Sequence, residues 1–130
     1  MSVLVGFIPT PEGRAALEAA ITETELRQTS LIVVNASSGD SLADPRWAAR
    51  DAMAELEREL TEAGVPHAVE QRTGRDPVEV LVEMADDRGV DLVVIGLRRR
   101  SPVGKLLMGS AAQRILLEAG CPVLAVKVAG

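Results

Sequence analysis

Aromatic residues are almost missing from this 130-residue chain, which has Phe7, Trp47 and no tyrosine. Its core must then be built from Val, Leu, Ile and Ala, the usual material of parallel sheets buried on both faces. The same scarcity removes the stacking platforms that single-stranded nucleic acids need. Cysteine occurs once, at Cys121, so no internal disulfide can form, which fits a reducing compartment. One histidine, His67, beside that single cysteine leaves little from which to build a metal centre. No apolar run reaches the length of a membrane span. The start lacks a basic segment followed by a long apolar one, so no signal peptide is expected. An excess of positive charge is lacking too: the formal net charge is -5 and the pI about 4.9, which disfavours a general nucleic-acid or anionic-membrane surface. The expectation is a cytoplasmic protein with neither nucleic acid nor membrane as partner.

What is present is ordinary for a globular protein: 47% hydrophobic and 25% charged residues, enough for one domain spanning residues 1–130. Apolar runs at Ser2 to Ile8, Leu31 to Val34, Val90 to Ile95 and Pro122 to Val128 read as strands, and Pro66 to Gln71, with its polar alternation, as a strand with one polar face or at an edge. Between them lie helical patterns. The first runs from Glu12 to about Thr24 behind Pro11. The second starts at Asp44-Pro45, carries Trp47, Ala48, Met53, Leu56 and Leu60, and ends near Gly64. The third follows Asp76-Pro77 and stops at Gly89. The fourth is capped by Ser110, has Ile115, Leu116 and Leu117 as its apolar side, and is closed by Gly120. Asn35 to Pro45 reads as an exposed loop. The resulting β-α-β-α-β-α-β-α-β order predicts a five-stranded, mostly parallel α/β sheet with helices on both faces. Such sheets take ligands beyond the carboxyl ends of their strands, at the switch in strand order.

The stretch from Asp91 to Ser110 lies on that edge. An apolar run ends at Gly96, a basic loop with Arg98, Arg99, Arg100 and Lys105 follows, and Gly109-Ser110 opens a helix. Glycine permits close backbone approach. The amides of Gly109, Ser110 and Ala111 would point at one spot, at the positive end of the helix dipole, with the cations to neutralise charge. A serine opening a helix is more often only a cap, and an arginine triplet a solvated loop. Their convergence on the ligand edge favours an anion site.

The same stretch resembles the signature of the universal stress protein family: glycine, two residues, glycine, nine residues, glycine, then serine or threonine. Gly96, Gly109 and Ser110 match it. The run Ala119 to Val126 is similar to that family's last helix-strand junction, and Pro11-Glu12-Gly13 to Leu17 to its first helix. The resemblance implies a flavodoxin-like or adenine-nucleotide-hydrolase-like α/β fold and a stress-response module. It also implies a homodimer built through strand 5, and a nucleotide (ATP or a related phosphate compound) at the loop between strand 4 and helix 4, with Arg98, Arg99 or Lys105 assisting. Topology adds Ala36, at the end of strand 2, as a wall beside an adenine. Two positions depart from the pattern. Arg99 stands where the signature has its second glycine, so its side chain either blocks phosphate or binds it. Ile8 stands where ATP-binding members carry an acid for the nucleoside. The alternative reading is therefore a member that binds no ATP and acts through an unidentified protein partner.

Other chemistries find less support. G-x-G-x-x-G is absent after strand 1, Gly104-Lys105-Leu106 fails as a P-loop, and strand 1 lacks the acids of a phosphoryl receiver. Asp40 and Asp44 could hold Mg²⁺ beside a nucleotide, though capping explains them more cheaply. No base stands near Ser110, since His67 belongs to a distant strand. The expectation is a binding module with at most slow ATP hydrolysis.

Overall fold

The computed structural model describes residues 1–39, 47–98 and 109–128. The elements run β1 (Ser2–Gly6), α1 (Pro11–Arg27), β2 (Ser30–Ser37), α2 (Arg50–Ala63), β3 (His67–Thr73), α3 (Pro77–Asp87), β4 (Leu92–Leu97), α4 (Ser110–Glu118) and β5 (Val123–Lys127). The sheet order is β3-β2-β1-β4-β5, and every pairing is parallel. The chain moves outward in one direction from β1 to β3, then crosses back to place β4 on the other side of β1. The switch in strand order thus falls between β1 and β4.

Strand residues alternate between two apolar layers, because successive side chains leave opposite faces. Val3, Val5, Leu31, Val33, Leu92 and Val94 pack with Ala16, Leu17 and Ala20 of α1 and with Leu56 and Leu60 of α2. Leu4, Ile32, Val34, Val93 and Ile95 pack with Val78, Leu81 and Met84 of α3 and with Ala112 and Ile115 of α4. A fully buried leucine such as Leu4 or Leu17 contributes roughly 2 kcal/mol of transfer free energy. Among the described residues the buried hydrophobic side chains are aliphatic apart from Phe7 and Met84. Among the described residues no helix is long and apolar enough to cross a membrane.

Local chemistry sets several boundaries. Thr10 caps α1, its hydroxyl accepting from the Gly13 amide at 3.1 Å, and Asp76 caps α3, accepting from the Val78 amide at 3.0 Å. Proline opens both helices. Gly64 (φ 75°) ends α2 in the left-handed region. β3 is an edge strand, which decides between the two readings its polar alternation allows, one polar face or an edge. Glu70 on β3 lies between Arg88 (2.6 Å) and Arg72, and these guanidiniums hold its carboxyl near a pKa of about 2. Charge on an edge strand discourages pairing with other chains.

Four expectations need correction. Asn35, Ala36 and Ser37 are not an exposed loop: they extend β2 and are buried, because Asn35 spends its polar atoms on the interior. Helix α2 begins at Arg50 behind Ala49, with no side-chain cap, so Trp47 and Ala48 precede it; Asp44-Pro45 lie outside the described residues. Gly109, not Ser110, holds the N-cap position of α4, and Ala119, not Gly120, its C-cap. Finally, Ile115 is buried, but Leu116 is 38% and Leu117 85% exposed. Consecutive helical residues turn by about 100° each, so three in a row cannot share one face.

Candidate functional site

A cleft of about 330 Å³ opens at the carboxyl ends of β1 and β4, at the switch in strand order. Its floor is the end of β1 with the following turn (Gly6, Phe7, Ile8) and the end of β4 (Ile95, Gly96). Val34 and Ala36 of β2 and Val78 and Leu81 of α3 form an apolar wall, and Ser110, Ala111 and Arg114 bring the first turns of α4 to the rim.

Two glycines let the floor close. At Gly96 a Cβ would run into the backbone carbonyl of Glu12, and at Gly13 into that of Ile8. These close approaches press the start of α1 onto β4 and set the shape of the β1–α1 turn. Gly109 differs from both. Its φ is -64° and nothing lies within 4 Å of a Cβ placed there, so neither conformation nor packing among the described residues demands glycine. Because Gly109 has no side chain, the first turn of α4 receives no side-chain cap. The first amides of a helix have no intrahelical partner, so the end of α4, uncapped among the described residues, offers donors and a partial positive charge toward the cleft.

The charged lining adds a pair and a single. Arg114 donates to Asp76 at 2.6 Å, and the neighbouring carboxylate raises the guanidinium above its ordinary value. Asp76 thereby divides its two oxygens between the Val78 amide and Arg114. Glu12, half-buried in the first turn of α1, also lines the cleft.

Of the residues singled out from sequence, Gly96, Ser110, Ala111 and Ala36 meet around this cleft. Gly109 stands immediately before Ser110 as the N-cap. Arg98 follows β4, is exposed, and is not among the cleft's lining. Arg99 and Lys105 lie outside the described residues, as do Asp40 and Asp44. Among the described residues no group of three His, Cys, Asp or Glu side chains could hold a metal ion. Ile8 does line the cleft, with its apolar side chain where an acid was looked for. His67 sits on the far edge strand, hydrogen-bonded to Val65 and Glu57. Cys121 is half-buried, and burial first, then Asp86, pushes its thiol up, away from the reactive thiolate.

Sequence reasoning missed Glu12, Asp76 and Arg114 as lining residues. Asp76 and Arg114 are 38 positions apart, so no local pattern joins them. Glu12 carried a usable signal: it is the acid nearest the carboxyl end of β1.

The chain is similar to known proteins over nearly its full length. The family model described as the universal stress protein family matches residues 1–127. A universal stress protein from Mycolicibacterium smegmatis is 46% identical over 128 residues, covering 98% of each chain. Among solved structures, a universal stress protein from Archaeoglobus fulgidus superposes with a TM-score of 0.82 at 27% identity, over 98% of both chains. Another from Archaeoglobus fulgidus, in complex with dAMP, superposes with a TM-score of 0.67 at 23% identity, again over 98% of both chains. On the matching family model and the 46% identical relative, this chain belongs to the universal stress protein family.

Proposed function

We propose that the chain is a stress-response module that binds a nucleotide in the cleft between β1, β4, α3 and α4. One observation carries this reading: a largely apolar cleft of about 330 Å³ ends at the uncapped first turn of α4. A purine is a flat apolar body, suited to the wall of Val34, Ala36, Val78 and Leu81. A phosphate is suited to the amides of Ser110 and Ala111 behind Gly109. The bare N-cap at Gly109 leaves room for an anion to approach the backbone. The sequence between Gly96 and Gly109 carries Arg98, Arg99 and Lys105, whose cationic charge suits a phosphate; in this reading the Arg99 guanidinium is a phosphate ligand. The relative in complex with dAMP makes an adenine nucleotide the first compound to try, with ATP and Mg²⁺ beside it. The module operates in the cytoplasm as a homodimer joined through β5, the apolar edge strand, and hydrolyses ATP slowly at most.

A second reading, a family member that binds no ATP and signals through protein contacts, is favoured by Ile8. An isoleucine in the cleft accepts no hydrogen bond from a nucleoside. Calorimetric titration with AMP and with ATP, with and without Mg²⁺, separates the two. Heat of binding together with a rise in melting temperature supports the first reading; neither at millimolar nucleotide supports the second. Arg99→Gly should weaken nucleotide binding, and tighter binding would identify Arg99 as an obstruction.

A further inference from the structure

Three charged residues line the cleft among the described residues: Glu12, Asp76 and Arg114. Asp76 and Arg114 pair with one another, Asp76 also accepts from the Val78 amide, and Arg114 lies 3.5 Å from a Glu118 carboxylate oxygen. Glu12 makes no hydrogen bond or ion pair with the described residues, although it is half-buried beside Ile8 and Ile95. Its backbone carbonyl and Cβ abut Gly96, so the root of its side chain is fixed at the seam between β4 and the β1–α1 turn. The cleft therefore holds one unsatisfied anionic acceptor as well as the donor end of α4.

These two features select complementary ends in a ligand. The anionic end belongs at α4, because Glu12 repels it. The group beside Glu12 must donate hydrogen bonds. An adenine amino group does so poorly, since the ring-nitrogen lone pairs flanking it are brought toward the carboxylate as well. A vicinal diol offers two O–H donors spaced for the two oxygens of one carboxylate, in short charge-assisted bonds. Resting on the nucleotide-binding reading, we propose that Glu12 is the specificity-determining residue of the cleft, its carboxylate accepting both hydroxyls of a ribose. It supplies from the first turn of α1 the acceptor that Ile8 does not supply from the end of β1.

An acid in the first turn of a helix also complements the helix dipole, and that role predicts a loss of stability without any change in ligand preference. The experiment is a calorimetric comparison of AMP with 2′,3′-dideoxyadenosine monophosphate on the full chain, for wild type, Glu12→Ala and the isosteric Glu12→Gln, with melting temperatures recorded for all three. Wild type should prefer AMP by at least about tenfold, the value of a single charge-assisted hydrogen bond to the diol. Glu12→Ala should bring the two compounds within about twofold by weakening AMP alone, and Glu12→Gln should lose most of the preference. Equal wild-type affinities, a preference that survives in both variants, or a parallel loss for both compounds would overturn the assignment while leaving nucleotide binding intact. Binding of neither compound by wild type would overturn nucleotide binding and the role of Glu12 together.

Discussion

Gly96 of β4 lies directly against the backbone carbonyl of Glu12 in the first turn of α1, with no room between them for a methyl group. Backbone cannot swing aside as a side chain can. Gly96→Ala must therefore push α1 off the sheet and lose contacts in the layer that holds Ala16, Leu17 and Ala20. We expect a loss of about 3 kcal/mol or more, in the range of severe overpacking, measured by urea denaturation. Gly109→Ala meets open space at an ordinary φ and should cost no more than about 1 kcal/mol as an N-cap change. If both substitutions were equally damaging, the contrast between a packing glycine and an access glycine would fail.

Asp76 serves the Val78 amide and Arg114, and three substitutions separate these two roles. Asp76→Asn keeps an oxygen to accept from the Val78 amide but gives up charge pairing with Arg114. Asp76→Ala loses both, and should be the more destabilising by about 1 kcal/mol, the value of an N-cap. Arg114→Gln should resemble Asp76→Asn, since exposed pairs contribute little. Denaturant midpoints at low and at raised salt check this ordering, and the Asp76→Asn loss should shrink as salt screens the pair.

His67 joins the start of β3 to α2. Its Nδ1 lies 2.8 Å from the Val65 carbonyl and its Nε2 3.0 Å from a Glu57 carboxylate oxygen. Both neighbours are acceptors, so only the doubly protonated ring donates to both. The Val65 carbonyl first, and Glu57 with it, raise the His67 pKa above 6.5. A group whose folded pKa is raised contributes stability that is fully present below its unfolded pKa and is lost as pH climbs through the folded one. The melting-temperature advantage of wild type over His67→Gln should thus be largest below about pH 6.5 and fall above it. Its size should be on the order of 0.5–1 kcal/mol, because Glu57 is half exposed. An advantage that grows from pH 6 to pH 8 would contradict the assignment.

The alternation of strands and helices was legible because each apolar run has its own length and boundary chemistry: Pro11 and Asp76-Pro77 open helices, and Gly64 ends one. Part of the cleft's lining was legible as well, since Gly96, Ser110 and Ala111 fall in one stretch of sequence and Ala36 follows from topology. What escaped depends on pairing over distance. Asn35 looks like a loop residue by type, and only its partners at positions 7, 48 and 71 make it a strand residue. Ser110 looks like a cap by type, but a cap is a backbone position, and Gly109 occupies it. Arg114 is a surface residue on any helical wheel until Asp76 is brought to 2.6 Å.

Asn35 also yields the sharpest test of how the cleft is braced. Its side chain is fully buried. The amide nitrogen donates to the Phe7 carbonyl at 2.8 Å, and the oxygen accepts from the Ala48 amide and from Gln71, each at 3.0 Å. One residue thus ties the end of β1, the approach to α2 and edge strand β3. Asn35→Ala strands a buried carbonyl and a buried amide, and should cost roughly 2–6 kcal/mol at about 1–3 kcal/mol per orphaned group. Asn35→Asp preserves shape and still accepts from Ala48 and Gln71, but an ionised carboxylate would face the Phe7 carbonyl, acceptor against acceptor. Burial and that repulsion raise the pKa of the introduced carboxyl, whose protonated form can donate to Phe7 as the amide does. With a raised folded pKa, the variant's stability should be greatest at low pH and fall as pH rises through that value. Relative to wild type, Asn35→Asp should therefore regain stability on going from pH 7 to pH 5, whereas Asn35→Ala should show no such recovery. Parallel pH profiles for the two variants in urea denaturation would show that the bond to Phe7 is not what Asn35 contributes.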